Sequence, residues 1–241
     1  MSQTELSSAL TRNAAAIQAR IDAACARASR NPAEVELIWV SKTHPVETLV
    51  AAHDCGAKLF GENRVQEVLE KFPLPAHEYG TARDYELHLI GSLQRNKVRK
   101  VLPLCTTIHS VDSRELWEAI NRIAGELNVR RRVLIQVNTS GEANKSGVAP
   151  EALLDFLASL PPAPHLDLTG LMTMGPVDGG PEAARPCFRQ LAALLAEARA
   201  RFGAAHPRLA KLSMGMSGDF EIAVEEGAHY VRVGTALFGS R

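Results

Sequence analysis

The chain has 241 residues, 46% of them hydrophobic and 22% charged, which is enough to bury one large core or two small ones and too apolar for a disordered chain. Lys plus Arg and Asp plus Glu both number 27, so no net charge draws the protein to nucleic acid or to an anionic membrane. Any anion must then be bound by a local site.

The amino-terminal MSQTELSSALTRN has no basic stretch leading into an apolar core, and no apolar run approaches the roughly 18 residues that span a bilayer. Cys25, Cys55, Cys105 and Cys187 lie far apart with no C-x-x-C pair, which fits reduced thiols and argues against a zinc knuckle or a redox dithiol. The reading is a cytoplasmic protein.

Leu10, Ala14, Ile17, Ile21 and Ala24 recur at helical spacing, so the chain opens with an amphipathic helix. Strands and helices then alternate. Strands are predicted at 35–41, 57–63, 85–92, 106–113, 131–140 and 165–174, a seventh from about 209 onward, and an eighth in HYVRVGTALFG. Helical stretches follow them, including VETLVAAHDCG with Gly56 as a stop, RVQEVLEKF, NKVRKVLP, and a long helix over 182–202.

Strict alternation calls for a parallel sheet covered on both faces, and eight units in this length favour a closed barrel over an open doubly wound sheet. The fold expectation is α/β: a single (β/α)8 TIM barrel over 1–241 with an extra amino-terminal helix. No linker divides the chain; 73–84 and 174–186 read as long loops within the alternation.

In such barrels chemistry sits at the carboxyl ends of the strands. Lys42 ends the first strand, in LIWVSKTHP, and Asn63 follows the second. Burial disfavours a charged ammonium, and a neutral amine is a nucleophile toward aldehydes, so Lys42 suits a Schiff base with a carbonyl substrate or with pyridoxal phosphate. The alternative is a lysine snorkelling to solvent.

Near the end of the chain, SMGMSGDFEIAVEEG is a glycine-punctuated turn entering a helix, with Ser217 placed as its N-cap, and VRVGTALFG is a strand ending in Gly234 and Thr235. Loops after the seventh and eighth strands are where such barrels bind phosphate. Arg232 alternates with Val231 and Val233 and points into the barrel mouth. A buried arginine needs an acceptor, either a carboxylate such as Glu62 or Asp219 or a ligand's ring nitrogen or phosphate.

With these segments, FGENRVQE, HLIGSLQRNK, VNTSGEANKSGV and LTGLMTMGP, the sequence resembles the YggS/PROSC family of pyridoxal-phosphate homeostasis proteins over nearly its whole length. The resemblance implies the barrel of the alanine racemase N-terminal domain, with pyridoxal phosphate as an internal aldimine on Lys42. It also implies Ser217, Gly234 and Thr235 at the phosphate, Arg232 facing the pyridine nitrogen, and Asn63 beside the cofactor.

The resemblance implies a carrier that supplies the cofactor, with effects on amino-acid and keto-acid balance, PLP-dependent apoenzymes as partners and no established catalytic residue. The second reading is a weak racemase or lyase using the same lysine; a Schiff-base aldolase is a third and accounts less well for Arg232. Racemases of this fold carry a carboxyl-terminal domain that supplies a catalytic tyrosine, whereas six residues follow Thr235 here, and Tyr79, Tyr85 and Tyr230 fall at no obvious catalytic position. A monomer is expected. Lys97 and Lys145 fall in rim loops and read as solvated, while His44, His88 and His109 fall near strand ends without metal-ligand spacing, so no metal is expected.

Overall fold

A computed structural model describes residues 3–74, 84–142 and 144–239. Most of the long loop over 73–84, including Tyr79, lies outside the described residues.

Eight parallel strands close into a barrel in sequence order. They are β1 (Glu36–Val40), β2 (Leu59–Glu62), β3 (Glu86–Leu89), β4 (Thr107–Val111), β5 (Arg131–Gln136), β6 (Leu166–Met172), β7 (Lys211–Ser213) and β8 (Tyr230–Val233). Four register pairs between β1 and β8, from Glu36 with Tyr230 to Trp39 with Val233, complete the ring. The helices between them are α2 (Val46–Asp54), α3 (Val65–Lys71), α4 (Val98–Val101), α5 (Arg114–Glu126), α6 (Leu153–Ser159), α7 (Arg185–Phe202) and α8 (Phe220–Glu225), with α1 (Gln3–Arg27) ahead of the first strand and α9 (Thr235–Phe238) after the last.

Side chains alternate across each strand with period two, and the sequence uses both faces. Outward residues such as Trp39, Phe60, Leu87, Ile108, Val133 and Val231 join the large core between sheet and helices. Inward residues Ile38, Val40, Leu134, Met172 and Tyr230 form a second, smaller cluster in the lumen. Parity therefore tells which residues can meet inside the barrel.

Helix α1 buries Leu10, Ile17, Ile21, Ala24 and Cys25, while the anticipated Ala14 stays half-buried. Burying each large aliphatic side chain contributes about 1.5–3 kcal/mol. Asn13 donates to the Leu237 carbonyl at 2.8 Å, and Arg20 and Arg27 pair with Glu221 and Glu225. These contacts pin α8 and α9 from outside, and so hold the two loops that end at the rim.

Two helical expectations change. The segment after β3 is a 3-10 turn, Arg95–Lys97, running into the four-residue α4, because Pro103 follows closely. Helix α7 starts at Arg185, and the residues before it form a separate 3-10 turn, Pro181–Ala184.

Candidate functional site

At the carboxyl ends of the strands, Lys42, Asn63, Ser217, Arg232, Gly234 and Thr235 all line one cavity of about 240 Å³. Val40, Ile90, Met174, Met216 and Gly218 complete its wall. The volume lies just below the roughly 300–1,000 Å³ of drug-sized ligand clefts, which suits a small ring with a phosphate. A larger depression of about 940 Å³ between Gln94 and Arg122 is an open surface groove away from these side chains.

Lys42 is exposed, which corrects the expectation of a buried ammonium. Strand β1 stops at Val40, so Lys42 stands above the last filled layer of the lumen, in parity with Ile38 and Val40. Its backbone is held from both sides. Ser41 Oγ donates to Glu62 at 2.7 Å, Lys71 Nζ donates to the Ser41 carbonyl at 3.0 Å, and the Thr43 N–H donates to Glu67 at 2.5 Å.

Lys71 also bonds Glu62 at 3.0 Å and Glu67 at 2.6 Å, so one ammonium gathers both carboxylates. Thr43 takes φ of +66°, a strained value for a β-branched residue, and this network holds it there. Burial raises the pKa of fully buried Glu62, against hydrogen bonds from Ser41 and the charge of Lys71. Burial also acts on Glu67, but bonds from Lys71 and the Thr43 N–H outweigh it and lower its pKa.

Ser217 is not an N-cap. Helix α8 begins at Phe220, Asp219 occupies the cap position, and Ser217 Oγ instead accepts from the Gly234 N–H at 3.3 Å, joining the loops after β7 and β8. Asp219 accepts from the Met216 N–H at 2.5 Å, which rounds off the loop, although burial raises its pKa. Gly215 turns the chain with φ of +91°, and a Cβ there would stand 2.5 Å from that of Ala223. At Gly234 a Cβ would meet the Val40 carbonyl oxygen at 3.1 Å, so the missing side chain lets β8 end against β1 beside the cavity.

Arg232 does point into the lumen and is 5% exposed. Neither proposed carboxylate is its hydrogen-bond partner. Glu62 is on the opposite strand face from Gly61 and Asn63 and belongs to Lys71, while Asp219 serves the Met216 amide. The guanidinium donates to Ser213 Oγ at 2.6 Å and to the Thr173 carbonyl at 2.8 Å, two of its five donors, and burial brings its pKa down to about 10. Asn63 Oδ1 is buried with no partner, an acceptor that a bound polar group would satisfy.

His88, next to the last residue of β3, and His109, in the middle of β4, are buried inside the barrel, His109 Nε2 and His88 Nδ1 lying 3.0 Å apart. Lys145 is not solvated: its ammonium donates to the Gly175 carbonyl at 2.6 Å and pairs with Glu142. Lys97 is half-buried in the 3-10 turn and does not line the cavity. The Tyr85 hydroxyl accepts from the Leu74 N–H at 3.0 Å, and Tyr230 lies in the lumen against both histidines. Among the described residues no group of three or more His, Cys, Asp or Glu side chains could hold a metal ion.

The network around Lys71 and the two histidines escaped sequence reasoning. An i, i+4 spacing of Glu67 and Lys71 was the available signal for the first. For the histidines it was parity: His88 is two residues before Ile90, an inward position.

A sequence profile of the alanine racemase N-terminal domain matches residues 12–241. A pyridoxal phosphate homeostasis protein of Aquifex aeolicus is 43% identical over 222 residues, covering 92% of this chain and 94% of its own length. The chain belongs to the pyridoxal phosphate homeostasis protein family. Among solved structures, PipY of Synechococcus elongatus with pyridoxal phosphate bound is similar, at 35% identity and a TM-score of 0.78, covering 95% of this chain and 100% of that one. An alanine racemase of Clostridium difficile shares the fold, with a TM-score of 0.65 at 16% identity, covering 86% of this chain and 52% of its own.

Proposed function

We propose that this chain binds pyridoxal phosphate in the rim cavity and holds it for supply to other proteins, with residues 1–241 forming one cofactor-binding unit. The observation that carries the reading is the convergence of Lys42, Asn63, Ser217, Arg232, Gly234 and Thr235 on one cavity. Family membership and the cofactor-bound PipY support it.

The side chains fit the group. Arg232 offers unused donors from the cavity wall, Asn63 an unsatisfied acceptor, and Lys42 an exposed primary amine at the lip. Around Gly218 a would-be Cβ meets nothing within 4 Å, so the loop backbone stands open to an anion beside Ser217, Gly234 and Thr235. When bound, pyridoxal phosphate supplies an aldehyde that condenses with primary amines and a ring that withdraws electrons.

Lys42 is the primary amine that would hold the aldehyde, with the network of Lys71, Glu62 and Glu67 fixing the backbone from which it reaches. Arg232, a permanent donor in the cavity wall, would hold the ring nitrogen as an acceptor and so weaken the electron withdrawal that the ring supplies. Among the described residues of the lining, Lys42 is the one candidate general base, whereas racemisation requires an acid/base on each face. These features favour a carrier over a racemase or lyase. We place the protein in the cytoplasm as a monomer, with apoenzymes that need the cofactor as its recipients.

Borohydride reduction of the protein loaded with pyridoxal phosphate, followed by peptide mass analysis, tests the site. The cofactor's mass is expected on the peptide containing Lys42; label on a different lysine, or none, overturns the assignment. Deuterium exchange at the α-carbon of a panel of amino acids tests the carrier reading. Fast exchange with any of them replaces it by an enzyme.

A further inference from the structure

A single file of hydrogen bonds runs down the lumen from the cavity wall to the opposite face of the barrel. Arg232 donates to Ser213 Oγ at 2.6 Å, Ser213 Oγ meets His109 Nδ1 at 2.9 Å, His109 Nε2 meets His88 Nδ1 at 3.0 Å, and His88 Nε2 meets Glu86 Oε2 at 3.4 Å. Ser213, His88 and His109 are fully buried, while the Glu86 side chain is half exposed at the amino-terminal end of β3. Arg132 pairs with Glu86 there.

The chemistry of its ends gives the file one direction. A guanidinium has no acceptor, so Ser213 Oγ accepts from Arg232, which leaves its hydroxyl hydrogen free for His109 Nδ1. His109 then carries its proton on Nε2 and donates to His88 Nδ1, and His88 carries its proton on Nε2 and donates to Glu86. A carboxylate accepts only, so the far end demands the same sense. The reverse arrangement would turn the bare nitrogen of His88 toward the Glu86 oxygen.

We propose that Ser213, His109, His88 and Glu86 form a positioning relay that orients Arg232 toward the cavity and couples it to the carboxylate on the barrel floor. This rests on the reading of the cavity as a pyridoxal-phosphate site only for its consequence, the strength of the donor that the ring nitrogen meets. The order of the file belongs to the polypeptide itself. The charges nearby are Arg232 above the imidazoles, Arg132 and Glu86 below, and Glu36 with Lys211 beside the Tyr230 ring that edges both histidines; Arg132 opposes a charge on both rings and Arg232 one on His109, while Glu86 and Glu36 favour one on His88. Burial is the largest influence on both imidazoles and favours their neutral forms.

The test is ¹⁵N NMR of the histidine rings in the cofactor-free protein at neutral pH, for wild type, Ser213→Ala and Glu86→Gln. The expected result is neutral His88 and His109, both with the proton on Nε2, with His109 losing that preference in Ser213→Ala. Glu86→Gln, a change at a half-exposed residue remote from the cavity, is expected to shift the His109 ring signals through His88. His109 charged or protonated on Nδ1 overturns the relay, as do His109 signals that ignore Glu86→Gln. In the loaded protein, Ser213→Ala is expected to weaken pyridoxal phosphate binding about fivefold, the value of one typical hydrogen bond, and to move the visible absorption band. An unmoved band and unchanged affinity overturn the coupling to the ligand. Wild-type protein that binds no pyridoxal phosphate removes the proposed function instead, and the ring tautomers still decide the relay.

Discussion

Lys71 Nζ donates to the carbonyl oxygen of Ser41 at 3.0 Å and thereby holds the residue that precedes Lys42. The same ammonium joins Glu62 and Glu67, so the outer layer of the barrel, between β2 and α3, determines the backbone from which the rim lysine projects. An ion pair this deep is costly to break from one side, because the remaining charge has no compensation.

Lys71→Met is therefore expected to destabilise the fold by about 3–5 kcal/mol, the cost of stranding a buried partner charge. Adding Glu62→Gln should recover part of the loss. Urea unfolding of the two single variants and the double variant measures the coupling, and additive effects would exclude a shared network.

Asn63 Oδ1 is buried without a partner, so its burial is a cost in the ligand-free protein. Asn63→Leu should leave the ligand-free melting temperature unchanged or raise it, by an amount worth up to about 1 kcal/mol, while the gain in stability on adding pyridoxal phosphate shrinks. Thermal melts with and without the compound read both effects.

Gly234→Ala places a methyl group 3.1 Å from the Val40 carbonyl oxygen, at the seam between β8 and β1. The strain should cost about 1–3 kcal/mol and displace the loop that lines the cavity. Affinity for pyridoxal phosphate is expected to fall more than affinity for pyridoxal, which lacks the phosphate. Equal losses for the two would place the effect elsewhere.

Acid should weaken the fold through its buried histidines. Burial lowers the pKa of His229 to about 4 and also lowers those of His88 and His109, and His229 Nδ1 accepts from the Leu212 N–H at 3.2 Å as only an unprotonated nitrogen can. Below about pH 6.5 the unfolded chain binds protons that the folded chain refuses, so stability falls with acidification until the folded-state values are reached. Chemical denaturation at a series of pH values from 7 to 4 is expected to show a falling midpoint. A flat profile over that interval would mean that the three rings take up protons as readily in the fold as in the unfolded chain.

Much of the site was legible because each of its parts announces itself locally. Lys42 and Asn63 directly follow apolar strands, Gly234 and Thr235 end one, and the glycines around Ser217 mark a turn in the loop where phosphate is expected. Ser217 lines the cavity but does not cap helix α8, since that helix starts later than the glycine pattern suggests and the Ser217 hydroxyl serves the neighbouring loop. The acceptors of Arg232 were misjudged for another reason. A carboxylate close in sequence to the rim is not close in space when strand parity turns it outward, as it does Glu62.

By itself, the sequence determined the alternation of eight strands with helices, the rim on which chemistry collects, and the side chains that meet there, because strand periodicity and strand ends are properties of short segments. The tertiary structure alone decided the exposure of Lys42, the capture of Glu62 by Lys71, and the file from Arg232 through Ser213, His109 and His88 to Glu86. Those contacts join residues from different strands or across a helix. Only closure of the barrel sets the height and the angle at which they meet.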